Sequence, residues 1–102
     1  MSLAEKTIDD LLTVQGLEHE RETFYPKSNC RFDFVVGDLH IEYFGLMGDM
    51  RYEAKVKAKL ATCGALGLKL LPVYPKDLLD LDRLAHSIKR LVNRRTATKI
   101  AT

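Results

Sequence analysis

The chain has 102 residues, 46% of them apolar and 29% charged. That is one ordinary globular domain, which excludes collagen-like, low-complexity and largely disordered classes. The net charge of +2 conceals an asymmetry: residues 1–50 carry ten acids against four bases (net −6), and residues 51–102 carry four acids against twelve bases (net +8). Such a split suits either a polyanionic partner for the second half or two halves that attract each other. No apolar stretch approaches about 18 residues, so no membrane partner is expected. Met1 to Glu5 shows no basic stretch leading into an apolar core, so no leader is expected. Cys30 and Cys63 are too few for a disulfide scaffold and lack metal-ligand spacing with the three histidines. A reducing, cytoplasmic setting is the expectation.

In chain order, Ala4, Ile8, Leu11 and Leu12 recur at helical spacing and predict a helix over 4–15, stopped by Gly16. Residues 21–26 are β-prone and end at Pro26, and Lys27-Ser28-Asn29 reads as a turn. Two strands, 30–36 and 39–44, flank Gly37-Asp38, a two-residue hairpin loop of the type II′ pattern. A helix is expected over 49–63, with Gly64 and Gly67 punctuating its end. Residues 68–74 read as a strand whose Pro72 calls for an edge or a bulge. The last helix is expected over 78–92, with Leu78, Leu81, Leu84, Ala85, Ile88 and Leu91 on one side. The domain is therefore expected over 1–92, with a basic, frayed tail over 93–102. The order α-β-β-β-α-β-α predicts an α/β fold. Three strands meander antiparallel, and strands 39–44 and 68–74 lie parallel across the second helix.

The hairpin has a chemical consequence. A two-residue loop pairs Val36 with Leu39, Val35 with His40, Phe34 with Ile41 and Asp33 with Glu42. Phe32, Phe34, Val36, Leu39, Ile41 and Tyr43 then share one apolar face. Asp33 and Glu42 share the other, with Cβ atoms about 4.5–5.5 Å apart. Like charges so placed destabilise a sheet unless a cation, a shared proton or a base offsets them. Oxygen ligands at this spacing suit a hard ion such as Mg²⁺. The alternative is a solvated face with Asp33 paired to Arg31 or a lysine.

The helix over 49–63 supplies a candidate base. At about 100° per residue, Lys59 falls within the stripe of Tyr52, Val56, Leu60 and Cys63 that should pack on the sheet. Lys55 is marginal to that stripe and Lys57 points elsewhere. An inward lysine either meets an anion, for which the two carboxylates are the obvious candidates, or runs its amine out to solvent along an apolar stem. Glu5 borders the apolar stripe of the first helix and either reaches the same place or serves as a first-turn acid. His40 shares the acids' face, as an auxiliary base or a strand residue near the rim. His19 and His86 carry no usable pattern, and Tyr52 reads as packing with its hydroxyl at the site's edge.

Arg31-Phe32-Asp33-Phe34, then Ile41-Glu42-Tyr43-Phe44-Gly45, then Tyr52 and Lys59, then Leu68 to Asp77, together resemble the PD-(D/E)XK nuclease superfamily. The arrangement is most similar to the small branch with very-short-patch repair-like endonucleases and helicase-associated nuclease domains. The resemblance spans roughly residues 4–80, and it implies a restriction-endonuclease-like core. It also implies Mg²⁺ (or Mn²⁺) held by Asp33 and Glu42, with the Tyr43 carbonyl as a further ligand and Glu5 as the first-helix acid. The family's lysine normally stands two positions after the second acid, where this chain has Phe44. In some members it has moved to the following helix, which makes Lys59 the candidate.

The implied activity is hydrolysis of DNA phosphodiester bonds, as an endonuclease or nicking domain. The alternative is an inactive, DNA-binding relative. Lys55, Lys57, Lys69, Lys76, Arg90, Arg94 and Arg95 are candidate contacts to the DNA backbone, each with ordinary surface as its alternative. The small size leaves open a homodimer and a piece of a longer protein.

Overall fold

The computed structural model describes residues 2–24, 31–46 and 48–92. The expected strand end at Pro26, the turn at 27–29 and the tail over 93–102, with Arg94 and Arg95, lie outside the described residues. The elements run α1 (Leu3–Val14), β1 (Glu20–Phe24), β2 (Arg31–Val36), β3 (Leu39–Tyr43), α2 (Met50–Ala65), β4 (Lys69–Val73), a 3-10 turn (Pro75–Leu79) and α3 (Leu81–Leu91). The sheet order is β1-β2-β3-β4. β1 and β2 pair antiparallel, as do β2 and β3, while β3 and β4 are parallel. The chain is thus an α/β domain with a four-stranded mixed sheet flanked by helices.

One face of the sheet carries Phe34, Val36, Leu39, Ile41 and Val73. It packs with Ile8 and Leu12 of α1 and with Leu84 and Ile88 of α3. The hydrophobic effect fixes both helices there. Ser2 caps α1 by accepting the Glu5 N–H at 3.1 Å, and its hydroxyl donates to the Glu5 carboxylate at 3.1 Å. Beyond α1, His19 ties the connection down. Its Nδ1 lies 2.8 Å from the Leu17 carbonyl and its Nε2 lies 2.5 Å from Asp9 Oδ1.

The hairpin forms as expected at its closed end. Gly37 has a φ of 58°, and Phe34↔Ile41, Val35↔His40 and Val36↔Leu39 pair in the predicted register. Pro72 sits on β4, an edge strand in the described sheet, where its missing N–H is tolerated. Two helix limits differ from expectation. Gly64 lies inside α2, which runs on to Ala65, and the left-handed residue after it is Gly67 at φ 70°. The expected 78–92 helix is broken. Tyr74 N–H donates to Asp77 Oδ2 at 2.8 Å to close the 3-10 turn, and Asp80 caps α3 through the Arg83 N–H at 3.1 Å. Leu78 therefore reaches the core from the turn.

The predicted face of Phe32 is also corrected. Phe32 is buried, but outside the cluster of α1 and α3. Its ring lies 4.7 Å from that of His40 and 5.0 Å from Lys59 Nζ, beneath α2. The reason is local. Glu22 on β1 has a φ of 52°, and the β1–β2 pairing skips Glu22 and Asp33 between Arg21↔Phe34 and Thr23↔Phe32. On β2 itself the regular pairing with β3 ends at Phe34↔Ile41 and the Asp33 N–H turns to the Glu42 side chain, so strict alternation does not carry through Asp33 to Phe32.

Glu22 is the one non-glycine residue with positive φ among those described. That conformation costs an L-residue about 1–2 kcal/mol, and glycine returns part of the gain as backbone entropy. Glu22→Gly is expected to raise the unfolding free energy by about 0.5–1 kcal/mol. Urea denaturation checks this.

Candidate metal centre

The hairpin's open end departs from a regular ladder. The Asp33 N–H donates to Glu42 Oε1 at 3.0 Å, and the Tyr43 N–H donates to Asp33 Oδ2 at 2.8 Å. Each carboxylate thus caps a backbone donor of the neighbouring strand. The expected pairing of Asp33 with Glu42 does bring the two side chains together, but through backbone donors rather than as a simple ladder pair. Gly45 lies just beyond, against the Tyr43 ring. A Cβ there would lie 2.7 Å from Cε2 of the Tyr43 ring.

Lys59 reaches this pair. Its ammonium donates to Glu42 Oε2 and to the Arg31 carbonyl. The side chain of Lys59 is 22% exposed and that of Glu42 15%. The Phe32 ring below adds a cation–π contact at 5.0 Å. The apolar-stem alternative, with the amine in bulk solvent, does not hold. Burial pushes the Glu42 carboxyl above its ordinary value of 4.5. The Lys59 hydrogen bond pulls it down, and the charge of Asp33 pushes it up again.

These groups line a cavity of about 370 Å³ together with Ser2, Glu5, Glu22 and Arg31. Glu5 therefore lines the cavity and is also the first-turn acid of α1, with its carboxylate engaged by Ser2. Glu22 and Arg31 are additions, joined by an ion pair with Nη2 3.3 Å from Oε1. Arg31 was readable as a face-mate of Asp33 two residues away. Nothing in the sequence marks Glu22, because glutamate carries no left-handed preference.

Phe44, two positions after Glu42, is buried. Its ring meets those of Tyr52 and Tyr74 at 6.4 and 6.0 Å. Burial raises the Tyr52 hydroxyl's pKa above 10.0, backbone hydrogen bonds with Gly45 and Leu46 oppose this, and the charges of Glu42 and Asp33 add to it. Tyr52 is a packing residue at the site's edge. His40 does not line the cavity. Its ring rests on Phe32, with Nδ1 3.2 Å from the Lys69 carbonyl.

The proposed backbone-contacting bases are scattered. Lys69 is held by Asp38 Oδ2 and the Leu91 carbonyl, both at 2.7 Å, at the hairpin-turn end of β3, away from Glu42. Lys76 lines a separate cleft with Asp77, Asp80 and Arg83. Lys55 and Lys57 are exposed on α2, and Arg90 on α3.

Among the described residues, no group of three or more His, Cys, Asp or Glu side chains is close enough to hold a metal ion. The donor set is the Asp33–Glu42 pair. Two carboxylates, with waters and substrate oxygens completing the shell, fit the habits of Mg²⁺. The Lys59 ammonium already occupies a cation's place against Glu42.

The fold is similar to that of a solved structure, the catalytic domain of the homing endonuclease I-Bth0305I. The TM-score is 0.73 at 19% identity, over 89% of this chain and 94% of that domain. The likeness establishes a fold shared with a nuclease catalytic domain. No family model matches the chain, and no curated protein matches it in sequence. No helix among the described residues is long and apolar enough to cross a membrane.

A carboxyl raised on folding holds a proton at pH values where the unfolded chain has lost it. The Glu42 contribution to stability is therefore greatest below 4.5 and is lost as pH rises through the raised value. Glu42→Gln is expected to flatten the pH dependence of the unfolding free energy across that window. Urea titrations at a series of pH values check this.

Proposed function

We propose that this chain is a metal-dependent DNA endonuclease or nicking domain of the PD-(D/E)XK superfamily, in the very-short-patch repair-like and helicase-associated branch. One observation carries the reading: two carboxylates on adjacent strands and a lysine from the next helix meet in one cavity. The shared fold with a homing endonuclease catalytic domain supports it. DNA is the proposed substrate, and Mg²⁺ or Mn²⁺ the proposed ion.

Asp33 and Glu42 would hold the ion, with the Tyr43 carbonyl as a further ligand. When bound, the ion supplies a Lewis acid for the scissile phosphate and lowers the pKa of a water. The residues supply the rest. The Tyr43 and Asp33 N–H groups fix the orientation of both carboxylates. Lys59, lodged over Phe32, holds its ammonium where it can orient a water or balance charge developing on phosphorus. Glu5 stands at the cavity wall as the first-helix acid.

A second reading has one observation in its favour. Phe44 fills the family's lysine position and is locked into an aromatic cluster. On that reading the chain is an inactive nuclease-like module that binds DNA without cutting it.

A plasmid assay separates the two. With Mg²⁺ or Mn²⁺ the wild type is expected to nick supercoiled DNA, and EDTA to stop it. Asp33→Asn and Lys59→Met are each expected to lower the rate by about a hundredfold or more, with DNA binding retained. Wild-type binding with no metal-stimulated nicking would establish the second reading. Undiminished nicking by Asp33→Asn would overturn the site.

A further inference from the structure

We propose that Arg31 is the phosphate-gripping residue of this cavity and that Glu22 is its positioning residue. This rests on the nuclease reading above and names the contact its substrate makes: a non-bridging phosphate oxygen on the guanidinium of Arg31.

The charge of the cavity wall calls for such a contact. Its ionisable lining is four carboxylates (Glu5, Glu22, Asp33 and Glu42) against two bases, Arg31 and Lys59. A polyanionic strand entering this wall is repelled unless a base meets it. Lys59 is committed to Glu42 and to the Arg31 carbonyl. Arg31 is placed differently, with its side chain 56% exposed and the Glu22 partner 60% exposed. The ion pair joins a single guanidinium nitrogen, Nη2, to Glu22 Oε1 at 3.3 Å. A guanidinium presents five N–H donors in a planar fork suited to phosphate, so donors remain for a ligand.

Glu22 is where the backbone departs from ordinary geometry. Its φ of 52° is unique among the described non-glycine residues, and its side chain serves no core. Strain at an exposed residue is not explained by packing, and it concentrates at working sites. Its consequence here is to set a carboxylate against Arg31. Without that anchor the alternative anion for Arg31 is Asp33, two residues along the same strand. A guanidinium on Asp33 would stand where the divalent ion is needed. Glu22 thus keeps the grip at the mouth of the cavity and the guanidinium off Asp33.

The test measures binding of a short DNA duplex in EDTA by fluorescence anisotropy across a salt series, alongside nicking kinetics in Mg²⁺. Arg31→Met is expected to weaken binding about tenfold and to reduce the salt slope by about one unit, the loss of one phosphate contact. KM should rise with kcat little changed, and Arg31→Lys should recover part of the affinity. Glu22→Gly should weaken DNA binding while raising the urea midpoint, a combination a purely structural residue does not give. An unchanged salt slope and KM in Arg31→Met would overturn the proposal, as would a fall in kcat alone. Those outcomes in a nicking-competent wild type sink only this inference. A wild type that neither binds nor nicks DNA sinks the nuclease reading with it.

Discussion

Two backbone-to-carboxylate hydrogen bonds across the hairpin govern the geometry of this domain's cavity. The Asp33 N–H reaches Glu42, and the Tyr43 N–H reaches Asp33. Where the β2–β3 ladder lapses, buried donors need acceptors, because an unsatisfied one costs about 1–3 kcal/mol. The acids supply them. Each carboxylate is thereby fixed by a strand it does not belong to. The repulsion expected between facing acids is met by an arrangement that holds each carboxylate in place through a donor of the other strand.

The remaining charge is balanced from α2. Lys59 lies on the helix face that also carries buried Val56 and Cys63, so apolar docking on the sheet delivers the ammonium to Glu42. The Phe32 ring lies under that ammonium. The strained Glu22 of β1 stands at the cavity's mouth, paired with Arg31.

Much of this was legible in the sequence. Gly37-Asp38 set the hairpin register, and that register put Asp33 and Glu42 on one face. Helical periodicity turned Lys59 inward. What escaped notice has specific causes. The helix at 78–92 looked continuous because its apolar spacing carries across Asp80, yet two aspartates found capping roles there. Strict alternation puts Phe32 with Phe34, and it fails where the β2–β3 ladder lapses at Asp33. Lys69 read as a free surface base, but its ammonium has two tertiary acceptors that only the folded chain brings near.

The placement of the lysine on α2 rather than on β3 has a consequence for when the cavity's charges come together. A base two residues after the second acid would travel with the hairpin and be present as soon as that hairpin closed. Here the acids and the base are separated by a loop and two turns of helix, with Phe44 buried in the position between them. The hairpin alone lacks the base, and the complete set needs β2, β3 and α2 packed together. The cavity's full complement of charges exists only after α2 has seated on the sheet. Whatever chemistry it performs is therefore silent in nascent or partly unfolded chains, an interlock that ties reactivity to completed assembly.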